Sequence, residues 1–199
     1  MSILATIGAI CSTVLTVCTA VHAVCRVAES VVSLGRSLGV IKTEESQEKL
    51  GERCLAAESV GITPENFDND YEAYMKQVNE MDMSEVDTDR WTTQEKALKA
   101  IEVASGAMVN DLGPKAEQAI LAMVNHPESD FYTPERMQKM IRADQAGMIN
   151  MEDDLVYMDG KAVDSVADTR DDLVYLEKQM NPSLSDEEAM DIIDYYRDI

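Results

Sequence analysis

The chain opens on a hydrophobic pattern unlike the one that follows it. From Ile3 to Cys25 there are 23 positions and none is charged. A helix of that length can cross a bilayer. Apolar residues recur through this run at alternating spacings of three and four. Ile3, Ile10, Val17, Val24, Val31 and Leu38 fall at one heptad position, and Ile7, Val14, Val21, Ala28 and Gly35 at its partner. This spacing predicts one long N-terminal helix with a continuous seam. β-branched residues at both positions favour bundles of more than two helices. Leu4, Cys11, Cys18, Cys25 and Val32 widen the stripe, so it needs neighbours on two sides or lipid on one.

Ile3, Ile7, Ile10, Val14, Val17, Val21, Val24 and Val31 are therefore the candidate anchoring or oligomerisation residues. The helix has three possible surroundings: a membrane spanned by residues 3–25, copies of itself in a soluble assembly, or the core of its own domain. Basic residues follow the run at Arg26, Arg36 and Lys42, so a spanning helix would leave the rest of the chain in the cytoplasm. Val21-His22-Ala23 could pass as a signal-peptide cleavage site, but no Lys or Arg precedes the apolar run.

Beyond Gly39 the pattern is amphipathic, and its punctuation is clear. Thr43 opens a helix to about Val60, and Thr63-Pro64-Glu65 opens the next, with Phe67, Tyr71, Tyr74 and Val78 on one face. Residues 82–91 form an acidic connector. Thr92 and Glu95 make a capping box, and Gly113-Pro114 ends that helix and begins another. His126-Pro127 is a stop, and Thr133-Pro134-Glu135 a further start. Asp153-Asp154-Leu155-Val156-Tyr157-Met158 recurs 18 residues later as Asp171-Asp172-Leu173-Val174-Tyr175-Leu176. Eighteen residues are five helical turns, which predicts one continuous helix with both copies facing the same way, weakened at Gly160. Asn181-Pro182 breaks it, and Ser185 with Glu188 caps a final short helix. No segment alternates at period two, so no sheet is expected. The expected fold is all-α: a long apolar N-terminal helix over residues 1–42, then an acidic bundle of about six to seven helices over residues 43–199.

Charge narrows the partners. The chain holds 17 Lys+Arg against 38 Asp+Glu, a net charge of -21. Residues 1–42 carry three bases and one acid, and residues 43–199 carry 14 bases and 37 acids. Direct nucleic-acid binding is disfavoured, because it depends on neutralising phosphates. The acidic part also repels anionic lipid. Solubility and a basic protein partner are favoured.

Candidate chemistry is sparse. The two histidines, His22 in the apolar run and His126 before a proline, have no motif around them. No phosphate loop, nucleophile elbow or His-Glu-x-x-His motif occurs. Cys11, Cys18 and Cys25, at intervals of seven, lie about 10 Å apart per step on a helix and cannot bridge one another. With Cys54 they read as packing residues and not as a zinc site. Asp68, Asp70 and Glu72, like Asp87 and Asp89, are spaced like the start of a calcium loop but lack its later glycine and glutamate. The pairs Asp153/Asp154 and Asp171/Asp172 are adjacent and do not face each other on a helix. They are candidate partner-surface residues. No catalytic residue, metal or cofactor is expected.

The functional expectation is a non-enzymatic interaction or assembly protein that forms homo-oligomers. It is held by its N-terminal helix to a membrane or to copies of itself, and presents acidic helices to a partner. Two alternatives stand beside it: a component of a large particle such as a phage virion or secretion machine, and an acidic inhibitor that mimics nucleic acid.

Overall fold

The computed structural model describes residues 3–84 and 86–197. Among these residues there are ten α-helices and no strand. They are α1 (Ile3–Val17), α2 (Val21–Ser37), α3 (Gln47–Ser59), α4 (Tyr71–Glu80), α5 (Thr93–Leu112), α6 (Pro114–Asn125), α7 (Pro134–Gln145), α8 (Met151–Met158), α9 (Val166–Met180) and α10 (Asp186–Arg197). A single 3-10 turn, Pro64–Phe67, precedes α4. The chain divides into two compact units, the first ending at Ser129 and the second beginning at Asp130.

The single long N-terminal helix is not formed. The uncharged run is split at Cys18–Ala20 into α1 and α2, with Ala20 in an extended conformation. No glycine or proline marks the break. The local residues supply the cause: Thr13, Val14, Thr16, Val17, Thr19 and Val21 crowd β-branched side chains into the junction. The Thr13 and Thr16 hydroxyls donate back to the carbonyls of Ala9 and Ser12, both at 2.9 Å, a bonding pattern that bends and weakens helices. α1 has 15 residues and spans about 22 Å at the helical rise, short of the ~30 Å hydrocarbon core. No helix among the described residues is long and apolar enough to cross a membrane.

The centre of the first unit is α5. Eleven of its twenty residues are buried, which leaves room for neighbours on several sides. Small residues make this possible: Ala97, Ala100, Ala104, Gly106 and Ala107 let α1, α2, α3, α4 and α6 pack against it. Two glycines set the closest approaches. A Cβ on Gly51 of α3 would strike the backbone carbonyl of Lys96, and one on Gly106 would strike the Tyr71 ring. Ile7, Ile10 and Val14 of α1, and Val24, Val31 and Leu34 of α2, are buried in this unit. Each contributes about 1.5–3 kcal/mol on the usual burial scale.

The second unit is a four-helix cluster of α7 to α10 around Met137, Met140, Ile141, Met151, Leu173 and Leu176, all fully buried. The expected continuous helix through both Asp-Asp-Leu-Val-Tyr copies is absent. α8 stops at Met158, Gly160 takes φ +73°, and α9 restarts at Val166 behind the Ser165 cap. The two copies lie on packed neighbours. A smaller correction applies at Thr63-Pro64-Glu65, where the helix ends after one 3-10 turn. Asp68 and Asn69 then adopt positive φ, and Asp70 caps α4 afresh. The capping boxes at Thr92/Glu95 and Ser185/Glu188 form as expected, with both reciprocal bonds made.

Candidate functional site

Three features of the described residues carry potential function: the outer face of α1, a cavity beside α4, and a group of carboxylates where α8 begins.

α1 packs through one side only. Thr6, Ile7, Ile10 and Val14 face inward, while Leu4, Ala5, Gly8, Ala9, Ser12 and Leu15 are exposed. Leu4 is 50% exposed and Leu15 51%, high values for large apolar side chains. The face continues past the break through Val17 and Val21, at 37% and 46%. Of the eight seam residues, Ile7, Ile10, Val14, Val24 and Val31 are buried among the chain's own helices, and Ile3 is half-buried. Only Val17 and Val21 are exposed, because the break turns them out. The apolar face open to a partner is thus rotated from the heptad seam, towards Leu4, Gly8 and Leu15.

The cavity has a volume of about 510 Å³, within the usual range for small-molecule sites. It lies between the 39–43 connection, α4 and the C-terminal part of α5. Ile41, Tyr71 and Ala107 are its buried apolar lining, and Val40 and Met75 are half-buried. Asp70, Glu72, Glu80 and Asp111 carry its negative charge, against Lys42 and Lys76. Lys42 Nζ stands 2.7 Å from Glu72 Oε1, and this bond raises the lysine's pKa. Asp70 is partly committed, its Oδ1 accepting the Ala73 N–H at 3.0 Å.

The sequence repeat gains a structural meaning at α8. Asn150 caps this helix; its backbone N–H donates to Asp172 Oδ2 at 2.8 Å and its side-chain amide to Asp153 Oδ2 at 2.6 Å. Asp172 of the second copy thus secures the start of the helix bearing the first. Asp171 is exposed. Asp154 is fully buried, and neither carboxyl oxygen has a hydrogen-bond partner. Burial raises its pKa to about 8, and the charges of Asp172, Asp153 and Asp144 push it the same way. The four candidate partner-surface aspartates therefore divide: one exposed, two half-buried at the α8 cap, one inside.

Reactive chemistry is muted. Burial raises the Cys11 thiol to about 11 and the Cys54 thiol to about 12, and Cys18 and Cys25 are also raised. These thiols are held protonated and non-nucleophilic. His22 is exposed and His126 half-buried. Among the described residues no three His, Cys, Asp or Glu side chains converge on a point that could hold a metal ion. Asp87 instead makes a local turn, its Oδ1 accepting the Asp89 N–H at 3.2 Å.

Sequence reasoning did not find the cavity, nor the buried pair of Arg136 and Glu177. The cavity joins segments up to 72 positions apart, Gly39 to Asp111. Arg136 sits in a first turn that reads as ordinary capping chemistry. No protein-family model, no curated protein and no solved structure matches the chain.

Proposed function

We propose that this protein is a non-enzymatic interaction and assembly protein whose copies associate through the outer face of α1. The observation that carries the reading is a helix with no charged residue, packed on one side only, in a chain of net charge -21. Two copies approaching by most other surfaces repel each other. The α1 face removes that penalty and offers apolar area. Gly8, with nothing within 4 Å of a Cβ built on it, allows close backbone approach at the centre of the face. The exposed patch is smaller than the roughly 20–30 residues per side of a standard pairwise interface. Association is therefore weak per contact and dependent on concentration. The raised thiol pKa values support a role without nucleophilic chemistry, and the acidic surface suits a basic protein partner.

Deleting residues 1–42 is a poor test, because α1 and α2 cover α5 and their loss uncovers the core of the first unit. Surface substitutions avoid this. Sedimentation of the full chain without detergent should show mass rising with concentration. Leu4→Glu with Leu15→Glu should leave a monomer with an unchanged helical circular-dichroism signal. A wild-type protein that stays monomeric at high concentration, or a double variant that assembles equally well, overturns the proposal.

A further inference from the structure

We infer that the cavity beside α4 is a binding site for an organic cation, an aliphatic ammonium whose stem lies on the apolar lining and whose charge meets the acidic rim. The inference is independent of self-association. It rests on how the helices end. α4 finishes at Glu80 and α5 at Leu112, and the last turns of both contribute to the cavity wall, through Glu80 and Asp111. A helix C-terminus carries partial negative charge and is normally balanced by Lys, Arg or His in its last turn. Neither helix has a basic residue there. Each instead places a carboxylate on its own negative end, and both bring it to one cavity. Asp70 and Glu72 add two more carboxylates, against Lys42 and Lys76, so the rim keeps an excess of two negative charges. At the exposed edge of the rim Lys42 Nζ stands 2.7 Å from Glu72 Oε1, so Glu72 already faces an ammonium there.

The lining selects the rest of the ligand. Ile41, Tyr71 and Ala107 form a buried apolar surface, with Val40 and Met75 beside it. A bare inorganic cation gains nothing from that surface and keeps its hydration. A methylene chain ending in an ammonium gains both the burial of its stem and the field of the rim. The chain's overall charge draws cations towards it, and the cavity decides which of them stay.

The aliphatic ammonium can come from a free amine or from a lysine side chain of a partner, and the test separates them. The full chain is titrated with 1,5-diaminopentane and with N-acetyl-lysinamide, with 1-pentanol as the uncharged comparison, and the methyl resonances of Met75 and Ile41 are followed. A saturable shift with the diamine alone assigns a free amine. A saturable shift with N-acetyl-lysinamide alone assigns a partner's lysine, and shifts with both assign the ammonium whatever carries it. Glu80→Gln with Asp111→Asn, two exposed positions, should weaken binding about tenfold. Glu187→Gln, a carboxylate outside the cavity wall, should leave it unchanged. The inference is overturned if neither amine gives a saturable shift, if 1-pentanol binds as tightly, or if Glu187→Gln weakens binding as much as the rim variants.

Discussion

Glu177 and Asp154 are carboxyl groups of the same four-helix unit, both withdrawn from water, and they are accommodated in opposite ways. Glu177 on α9 is 3% exposed and meets Arg136 of α7 in a two-pronged bond, Nε to Oε1 at 3.0 Å and Nη2 to Oε2 at 3.1 Å. The guanidinium is otherwise satisfied as well. Its Nη1 donates to the carbonyls of Phe131 and Asp130, and its plane lies over the Phe131 ring at 4.6 Å. Asp154 on α8 is fully buried with no donor at all, and its charged neighbours are other carboxylates. One acid acquires a cationic partner, and the other, with none, is pushed towards its neutral form. A buried charge costs several kcal/mol unless it is paired, so a carboxyl without a partner takes the proton. The difference lies in the neighbouring helix: α7 offers an arginine to Glu177, whereas α7 and α9 offer Asp144 and Asp172 to Asp154.

The largest effect comes from breaking the paired side. Arg136→Met leaves the Glu177 carboxyl buried and without its partner, and should cost about 3–5 kcal/mol of stability. Adding Glu177→Leu removes the stranded carboxyl and should recover most of that loss. Chemical denaturation of the wild type and the two variants reads this directly. If the single and double variants are equally unstable, the penalty lies in lost packing around Phe131 and not in an uncompensated carboxylate.

Asp154 supplies the next effect, and its sign is opposite. In the unfolded chain its carboxyl titrates near 3.9, and in the folded chain at about 8. Between those values the folded state holds a proton that the unfolded state has released. Stability attributable to this residue is therefore fully present below about pH 4 and falls by roughly 1.4 kcal/mol per pH unit up to about pH 8, then levels off. Asp154→Asn imitates the protonated carboxyl and removes the dependence. It should stabilise the second unit on the order of 4 kcal/mol at pH 7 and change little at pH 4. Parallel curves for wild type and variant between pH 4 and 8 would show that Asp154 ionises in the folded state as it does in water.

How much of this was legible in the sequence depends on the range of the interaction. Helix starts with a hydroxyl and a carboxylate three residues apart, Thr92/Glu95 and Ser185/Glu188, are local, and the structure has them as the sequence implied. The all-helical class followed from period alone. The N-terminal break was hidden because β-branched residues raise heptad quality and weaken a helix at the same time. The heptad Val17 and Val21 consequently flank a break. The exposed face of α1 was hidden for a related reason: a wide apolar stripe does not say which part of it α5 will cover. The Asp-Asp repeat was visible, but its periodicity fitted one helix as well as two, and only Gly160 hinted at the turn. Which aspartate would be buried depended on α7 and α9, beyond the reach of local spacing.

The smallest predicted effect sharpens the comparison at its edge. Asp172 occupies in the second copy the place Asp154 holds in the first. It differs by reaching a donor, the Asn150 N–H at 2.8 Å, where Asp154 has none. It is also the largest charge contribution to the raised pKa of Asp154. Asp172→Asn keeps an oxygen for the Asn150 cap and removes the charge. Two consequences follow in opposite directions. The cap exchanges a charge-assisted bond for a neutral one, a loss of about 1 kcal/mol or less. Asp154 loses a repelling neighbour, so its titration, followed through the side-chain carboxyl carbon by NMR, should move down from about 8. It should not return to the ordinary carboxylate range, because burial is the leading cause of the shift and the substitution leaves burial intact. A full return would mean that repulsion and not desolvation keeps Asp154 neutral, and the contrast with Glu177 would then rest on which charges face each carboxyl rather than on burial without a donor.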